Sequence, residues 1–340
     1  ALHCVQTTRF SDFEEFAGAL PGAAVTATPL RAGTFGATTT NLRLEDVVLR
    51  TGRSTPLMTL GDLALAGSIL LPLRGRETLV LNGRAVGPHD VAVYGPGAVH
   101  DGANLADTGW AVVVLPAASA DALLSPPPRS PIRWPGAHAM LRADPAAWAR
   151  TAALMRAASE VAKRDPEVFE VEEARRALRA SVLDVARELL MGTWDGAFPR
   201  TFRSSPARHR IVRLMEDYLR ANPRRLVDTA DLCATLGRSP SRLRSAFAAT
   251  FGVGPQRYLR IRRLAMVRSA LRSGDPRWSS AQEVALAHGF WHLERFTREY
   301  RDMFGESPSA TFSRAAGQHG RMDSREDEVP APLRDEWRSA

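Results

Sequence analysis

With 340 residues, 44% of them hydrophobic, the chain is long enough for two cores; no uninterrupted apolar run reaches the roughly 18 residues that a membrane span needs, and Ala1–Phe10 lacks a basic segment leading into an apolar one, so no secretory signal is expected. The two cysteines, Cys4 and Cys233, have no CxxC neighbour and no His at ligand spacing, which fits a reducing cytoplasm and argues against a disulfide framework or a zinc site. The formal net charge of +8 lies in one block: residues 206–315 carry 20 Arg against 10 acids, residues 1–205 balance at 21 and 21, and residues 316–340 carry 4 Arg against 6 acids, so that block is expected to meet a polyanion.

From about Leu30 to Pro116 the apolar runs are short and strand-like, as in Ser68–Leu71, Asp90–Tyr94 and Trp110–Leu115. Turn signals separate them, Asn82-Gly83 being a strong hairpin signal. Many short strands at regular spacing predict a sandwich or small barrel. Ser125–Pro131 is a break. Beyond it, apolar residues at i, i+3, i+4 and i+7 predict helices over 145–162 and 171–191, with Gly192 as a stop. Residues 196–205 read as a linker, 206–315 as helices with brief turns, and the polar, charged stretch after Gly317 as disordered.

The basic block contains one pattern twice. Leu232 matches Val284, Gly237 matches Gly289, Leu243 matches Phe296, and Phe251-Gly252 matches Phe304-Gly305. The offset is 52 residues before the turn and 53 after it. Each copy has the logic of a helix-turn-helix. Small residues (Ala230 and Ala234; Ala281 and Ala285) would let helices cross closely, and a Gly tolerates the positive φ of a sharp turn. Ser239 then caps a second helix with Pro240 at its first position, where the missing N–H costs nothing. Leu243, Ala246 and Phe247, and likewise Phe296 and Tyr300, are expected to face inward. The outer face is polar, and a major groove about 12 Å wide admits such a helix. Arg257, Arg260, Arg262, Arg263 and Arg268 crowd a predicted linking helix over 255–272; of these Arg257, Arg260, Arg263 and Arg268 suit phosphate contacts.

These residues resemble the AraC/XylS family of transcription regulators. The two repeats, the Gly289-Phe290 pair, the Arg-rich helix between the copies and the closing Phe-Gly-x-x-Pro carry the resemblance over about 110 residues. Gly289–Phe296 is similar to the branch that contains the ethanolamine-utilisation regulator. The resemblance implies DNA-contacting residues Ser239, Ser241, Arg242, Arg244 and Ser245 in the first copy. In the second it implies His292, Leu293, Glu294, Arg295, Thr297 and Arg298, where the apolar Leu293 departs from the usual polar readers. It implies an α+β multidomain fold. Residues 1–125 would be a cupin-like β-barrel or sandwich that binds an effector, and 126–204 a helical linker or dimerisation element. Residues 205–315 would be an all-α DNA-binding domain with two helix-turn-helix units, and 316–340 a disordered tail. The implied protein is not an enzyme but a cytoplasmic, ligand-responsive, promoter-specific activator. Its expected partners are double-stranded promoter DNA, RNA polymerase, a small-molecule effector and a second copy of itself.

A metal-binding cupin needs clustered ligands. Here His89 and His100 are eleven apart with only Glu77 as a suitable acid nearby, so no metal and no cofactor are expected. Neither a Ser-His-Asp arrangement nor a phosphate-cradling Gly loop stands out. Tyr94, Trp110 and Trp134 are the aromatics best placed for an effector pocket. The competing reading is a cupin-type metal enzyme with an accessory basic helical domain, which stoichiometric iron, manganese or zinc would support.

Overall fold

The computed structural model describes residues 4–20, 23–63, 67–95, 97–115, 138–191, 207–222 and 225–315. The expected linker at 196–205, the expected tail and Trp134 lie outside the described residues. The chain divides into two compact units, Ala1–Leu259 and Arg260–Ala340.

The first unit begins with β1 (Val5–Phe10), α1 (Phe13–Gly18), β2 (Ala23–Pro29), β3 (Ala37–Leu44), β4 (Val47–Ser54), β5 (Leu57–Leu63) and β6 (Gly67–Arg74). It continues through β7 (Leu79–Leu81), β8 (Arg84–Ala85), β9 (Asp90–Tyr94), β10 (Val99–Asn104), β11 (Thr108–Leu115) and β12 (His138–Arg142). These strands form a seven-stranded sheet in the order β1-β3-β4-β11-β6-β9-β12 and a five-stranded sheet in the order β2-β5-β10-β7-β8. The β7–β8 hairpin turns at Asn82-Gly83, whose φ values of 47° and 73° meet the need of a two-residue turn for positive φ at both positions.

Alternation along the strands decides what each face meets. Leu49, Ile69, Leu71, Val91, Val93 and Val113 point one way, onto the helices α2 (Pro145–Arg164) and α3 (Glu172–Met191). Trp148, Ala152, Met155, Val182, Ala186 and Leu189 from those helices complete this core. Helix α2 starts where Asp144 accepts from the backbone N–H of Ala146 and Ala147 and Pro145 takes the first position. Thr51 and Ser159 share a buried hydrogen bond of 2.6 Å that pins α2 to β4. The expected connector helices are thus a layer packed on the seven-stranded sheet, because their apolar stripes find the sheet's outer face. The same sheet draws β12 from beyond residue 125, where the sequence placed the end of the β-region.

A second core joins the five-stranded sheet to the helices that follow. Leu30, Met58 and Ala103 cluster with residues of α4 (Ala207–Ala221), α5 (Thr229–Leu236), α6 (Pro240–Phe251) and the start of α7 (Pro255–Arg272). The Tyr258 hydroxyl donates to Glu216 and lies 3.5 Å from Met58 Sδ. The unit division falls inside α7 rather than near residue 205, since the first helix-turn-helix shares its core with the sheet.

The second unit holds the rest of α7, α8 (Ala281–Ala287), α9 (Leu293–Phe304) and helical residues 308–315. Its core is Leu264, Val267, Leu271, Val284, Phe290, Phe296 and Tyr300.

Candidate nucleic-acid interface and β-domain cavity

Each expected helix-turn-helix is present. In the first, Asp228 and Asp231 form a reciprocal capping box that starts α5. Gly237 ends it in the left-handed region at φ 57°, and Ser239 caps α6 by accepting from the Arg242 N–H at 3.4 Å. In the second, Ser280 caps α8, Gly289 turns at φ 78°, and α9 opens at Leu293. Helix α6 therefore begins three residues after its glycine and α9 four. The extra residue that shifts the repeat offset sits in the second turn.

Leu243, Ala246, Phe247, Phe296 and Tyr300 are all buried, as the periodicity requires. The expected small-residue crossing holds only in the second copy. Ala281 and Ala285 are buried there, whereas Ala230 and Ala234 are exposed and Leu232 with Cys233 supplies the packing.

The outward face of α6 presents Ser241, Arg242, Arg244 and Ser245, all exposed, with Arg238, Ser239 and Pro240 exposed just before it. No acid lies on α6, and neither Arg242 nor Arg244 has an ion-pair partner among the described residues. Helix α9 differs. Leu293 is half-buried against the core of the second unit. His292, Glu294, Arg295 and Arg298 are exposed and Thr297 is half-buried. Arg295 donates to Glu299 at 2.8 Å.

Two of the expected phosphate contacts have other duties. Arg260 pairs with Glu299 and lies 5.3 Å from the Phe290 ring centre. Arg268 is only 6% exposed, stands 3.8 Å from Glu306 and lies 5.3 Å from the ring centre of Phe304. Both anchor α7 to α9 and the segment after it. Arg263 is half-buried, and burial together with the nearby Arg260 charge lowers its pKa. Arg257 is exposed. Trp291, 71% exposed in the turn before α9, was not singled out by the sequence reading; nothing in its spacing separates it from a core aromatic.

The inner faces of the two sheets, with Phe16 and Leu20, line a partly open cavity of about 140 Å³. Tyr94 and Trp110, two of the three expected aromatics, line it. So does Arg50, which the sequence reading missed. One polar chain runs along its wall. Asn82 Nδ2 donates to the Val99 carbonyl at 2.8 Å, which leaves Asn82 Oδ1 to accept from the Tyr94 hydroxyl at 3.1 Å. Tyr94 therefore accepts from His100 Nδ1 at 3.1 Å, and His100 Nε2 lies 2.9 Å from Thr59 Oγ1, which is also 3.5 Å from the Gly102 carbonyl. A neutral His100 satisfies that pattern. Burial, helped by His138, pushes its pKa down to about 4. His89 lies elsewhere, with its ring 5.7 Å from that of Trp148. Among the described residues, no three His, Cys, Asp or Glu side chains gather as a metal site would require.

A family model described as a helix-turn-helix domain matches residues 232–314. Among curated relatives, XylDLEGF operon transcriptional activator 2 of Pseudomonas putida is 37% identical over 109 residues, which are 32% of this chain and 67% of that protein. The probable thc operon regulatory protein of Rhodococcus erythropolis is 36% identical over 110 residues, 32% of this chain and 33% of that protein. The match thus spans about a third of the longer relatives. Among solved structures, the AraC-like transcriptional activator CuxR is similar at 15% identity and a TM-score of 0.41, over 77% of this chain and 94% of that one. A probable AraC family regulator from Rhodopseudomonas palustris is 36% identical over 31% of this chain and 97% of that one, at a TM-score of 0.29. The twin helix-turn-helix units and these relatives together place the chain in the AraC/XylS family of transcription regulators.

Proposed function

We propose that the protein reads double-stranded promoter DNA with α6 and α9, activates transcription beside RNA polymerase in the cytoplasm, and responds to a small molecule held in its β-domain. The observation that carries this reading is the exposed Ser/Arg face of α6, free of acids, inside the only block with a basic excess. A homodimer is part of the proposal, checked by sedimentation of the chain with and without DNA.

The test is a gel shift on the DNA upstream of its own gene against random DNA of equal length, over a salt series. Specific binding that weakens steeply with salt is expected. Random DNA competing equally would reduce the protein to a non-specific binder and overturn the promoter reading.

A further inference from the structure

Arg50 stands in the middle of β4, and its neighbours across the sheet are Asn41 on β3 and Val112 on β11. Leu49 and Thr51 point to the α2–α3 layer, so Arg50 points the other way, into the space between the sheets. It is 7% exposed. Its Nε donates to Asn41 Oδ1 at 2.6 Å, and its two terminal nitrogens have no partner among the described residues. A guanidinium is costly to bury without a counter-charge, and a fork of two N–H groups matches a carboxylate.

The rest of the cavity narrows the choice. Its wall is mostly apolar, with Phe16, Leu57, Leu70, Leu81, Trp110 and Val112 among the lining residues. Arg50 is the one Arg or Lys among its described lining residues, and burial lowers the pKa of the neighbouring His100. One fixed positive charge suits a monoanion better than a phosphate dianion. The volume of about 140 Å³ is close to the roughly 150 Å³ that accommodates a benzene ring.

We propose that the cavity binds a small apolar monocarboxylate, of one ring or a short carbon chain, with its carboxylate held by the guanidinium of Arg50. This deepens the proposed function and rests on it only in making that molecule the signal.

The test uses the full chain, with cyclohexanecarboxylate and hexanoate as probes and cyclohexanecarboxamide as the neutral partner of the same shape. Calorimetry and thermal shift should show the carboxylates binding about tenfold or more tighter than the amide. Arg50→Met should erase that preference and leave the ligand-free protein as stable as before or more so. Arg50→Lys should restore part of it. Val112→Phe, which keeps the charge and fills the space beside it, should abolish binding of all three probes. Equal binding of acid and amide, or no binding of either acid at millimolar concentration, overturns the proposal. So does carboxylate binding that survives Val112→Phe. Promoter binding without any carboxylate preference sinks this inference alone; carboxylate binding without promoter binding sinks the regulator reading alone.

Discussion

The two helix-turn-helix units share a pattern but use their charge differently. Helix α6 keeps Arg242 and Arg244 on an exposed face without an acid, and its core continues into Met58 and Ala103 of the five-stranded sheet and Leu30 just beyond it. Helix α9 spends Arg295 on Glu299, seats Leu293 in the core and ties itself to α7 through Arg260. The first helix-turn-helix leaves its cations exposed and is packed on the sheet that lines the cavity. In β10, His100, Gly102, Ala103 and Asn104 line the cavity, and Ala103 also belongs to the core shared with the helices. The second unit closes on itself.

The largest effects should come from the aromatic cores. Phe247 packs against Phe251 and Tyr258 with ring centres 5.6 and 5.2 Å away; Phe296 packs against Phe290 and Tyr300 at 4.9 and 5.6 Å. Truncating either to Ala should cost about 3–5 kcal/mol. Hydrogen exchange should separate them. Phe296→Ala should deprotect α8 and α9 and spare the sheets, whereas Phe247→Ala should also loosen β5 and β10. Equal patterns would break the distinction between a sheet-coupled unit and a self-contained one.

Acid should also act on the β-domain beneath the first helix-turn-helix. Unfolded, His100 takes up a proton near pH 6.5; folded, it does so only near pH 4. Between those values the unfolded chain binds more protons, so stability falls as pH drops from about 6.5 to about 4, by roughly 3 kcal/mol for the full span. Tyr94, Thr59 and the nearby His138 all face this imidazole and none supplies a negative charge to it. Urea melts of wild type and His100→Gln at pH 7, 5.5 and 4 check this. The variant should flatten the slope, and an unchanged slope would assign it to other groups.

What could be read without coordinates was local. Gly237, Ser239-Pro240 and the 3.6-residue spacing of Leu243, Ala246 and Phe247 act within one turn of chain, and each sits where its chemistry predicts. Asn82-Gly83 is the same kind of signal for a hairpin. What escaped depended on partners distant in sequence. Alternation alone puts Arg50 opposite the buried Leu49 and so toward solvent; only the second sheet, brought over it, makes the site interior. Arg260 and Arg268 look like spare cations until the chain returns with Glu299 and Glu306. The stripes on α2 and α3 announce burial without saying that a sheet covers them.

On DNA, Arg244→Ala should cost about 1–3 kcal/mol if its guanidinium pairs with guanine, or lower the salt slope by about 0.9 if it meets a phosphate. Arg298, exposed and without an ion-pair partner among the described residues, should behave alike in α9. Arg295→Ala should cost less than either, because Glu299 already holds that side chain. A footprinting titration of the three variants ranks them; equal losses would mean that Arg295 leaves Glu299 for DNA.

The smallest effect tests the same point with the opposite sign. The Glu299 carboxyl sits below the usual range: burial alone would raise it, but the hydrogen bonds from Arg260 and Arg295 outweigh that. Glu299→Gln removes one negative charge from beside the DNA face and releases Arg295. DNA affinity should rise about two- to threefold at low salt and return to the wild-type value at high salt, where screening removes the difference. The second unit should lose some thermal stability at the same time, since Arg260 keeps its half-buried place without its carboxylate. A gain in affinity that persists at high salt would mean a reshaped helix rather than a freed cation. The first unit has no counterpart to this variant, because α6 carries no acid to remove.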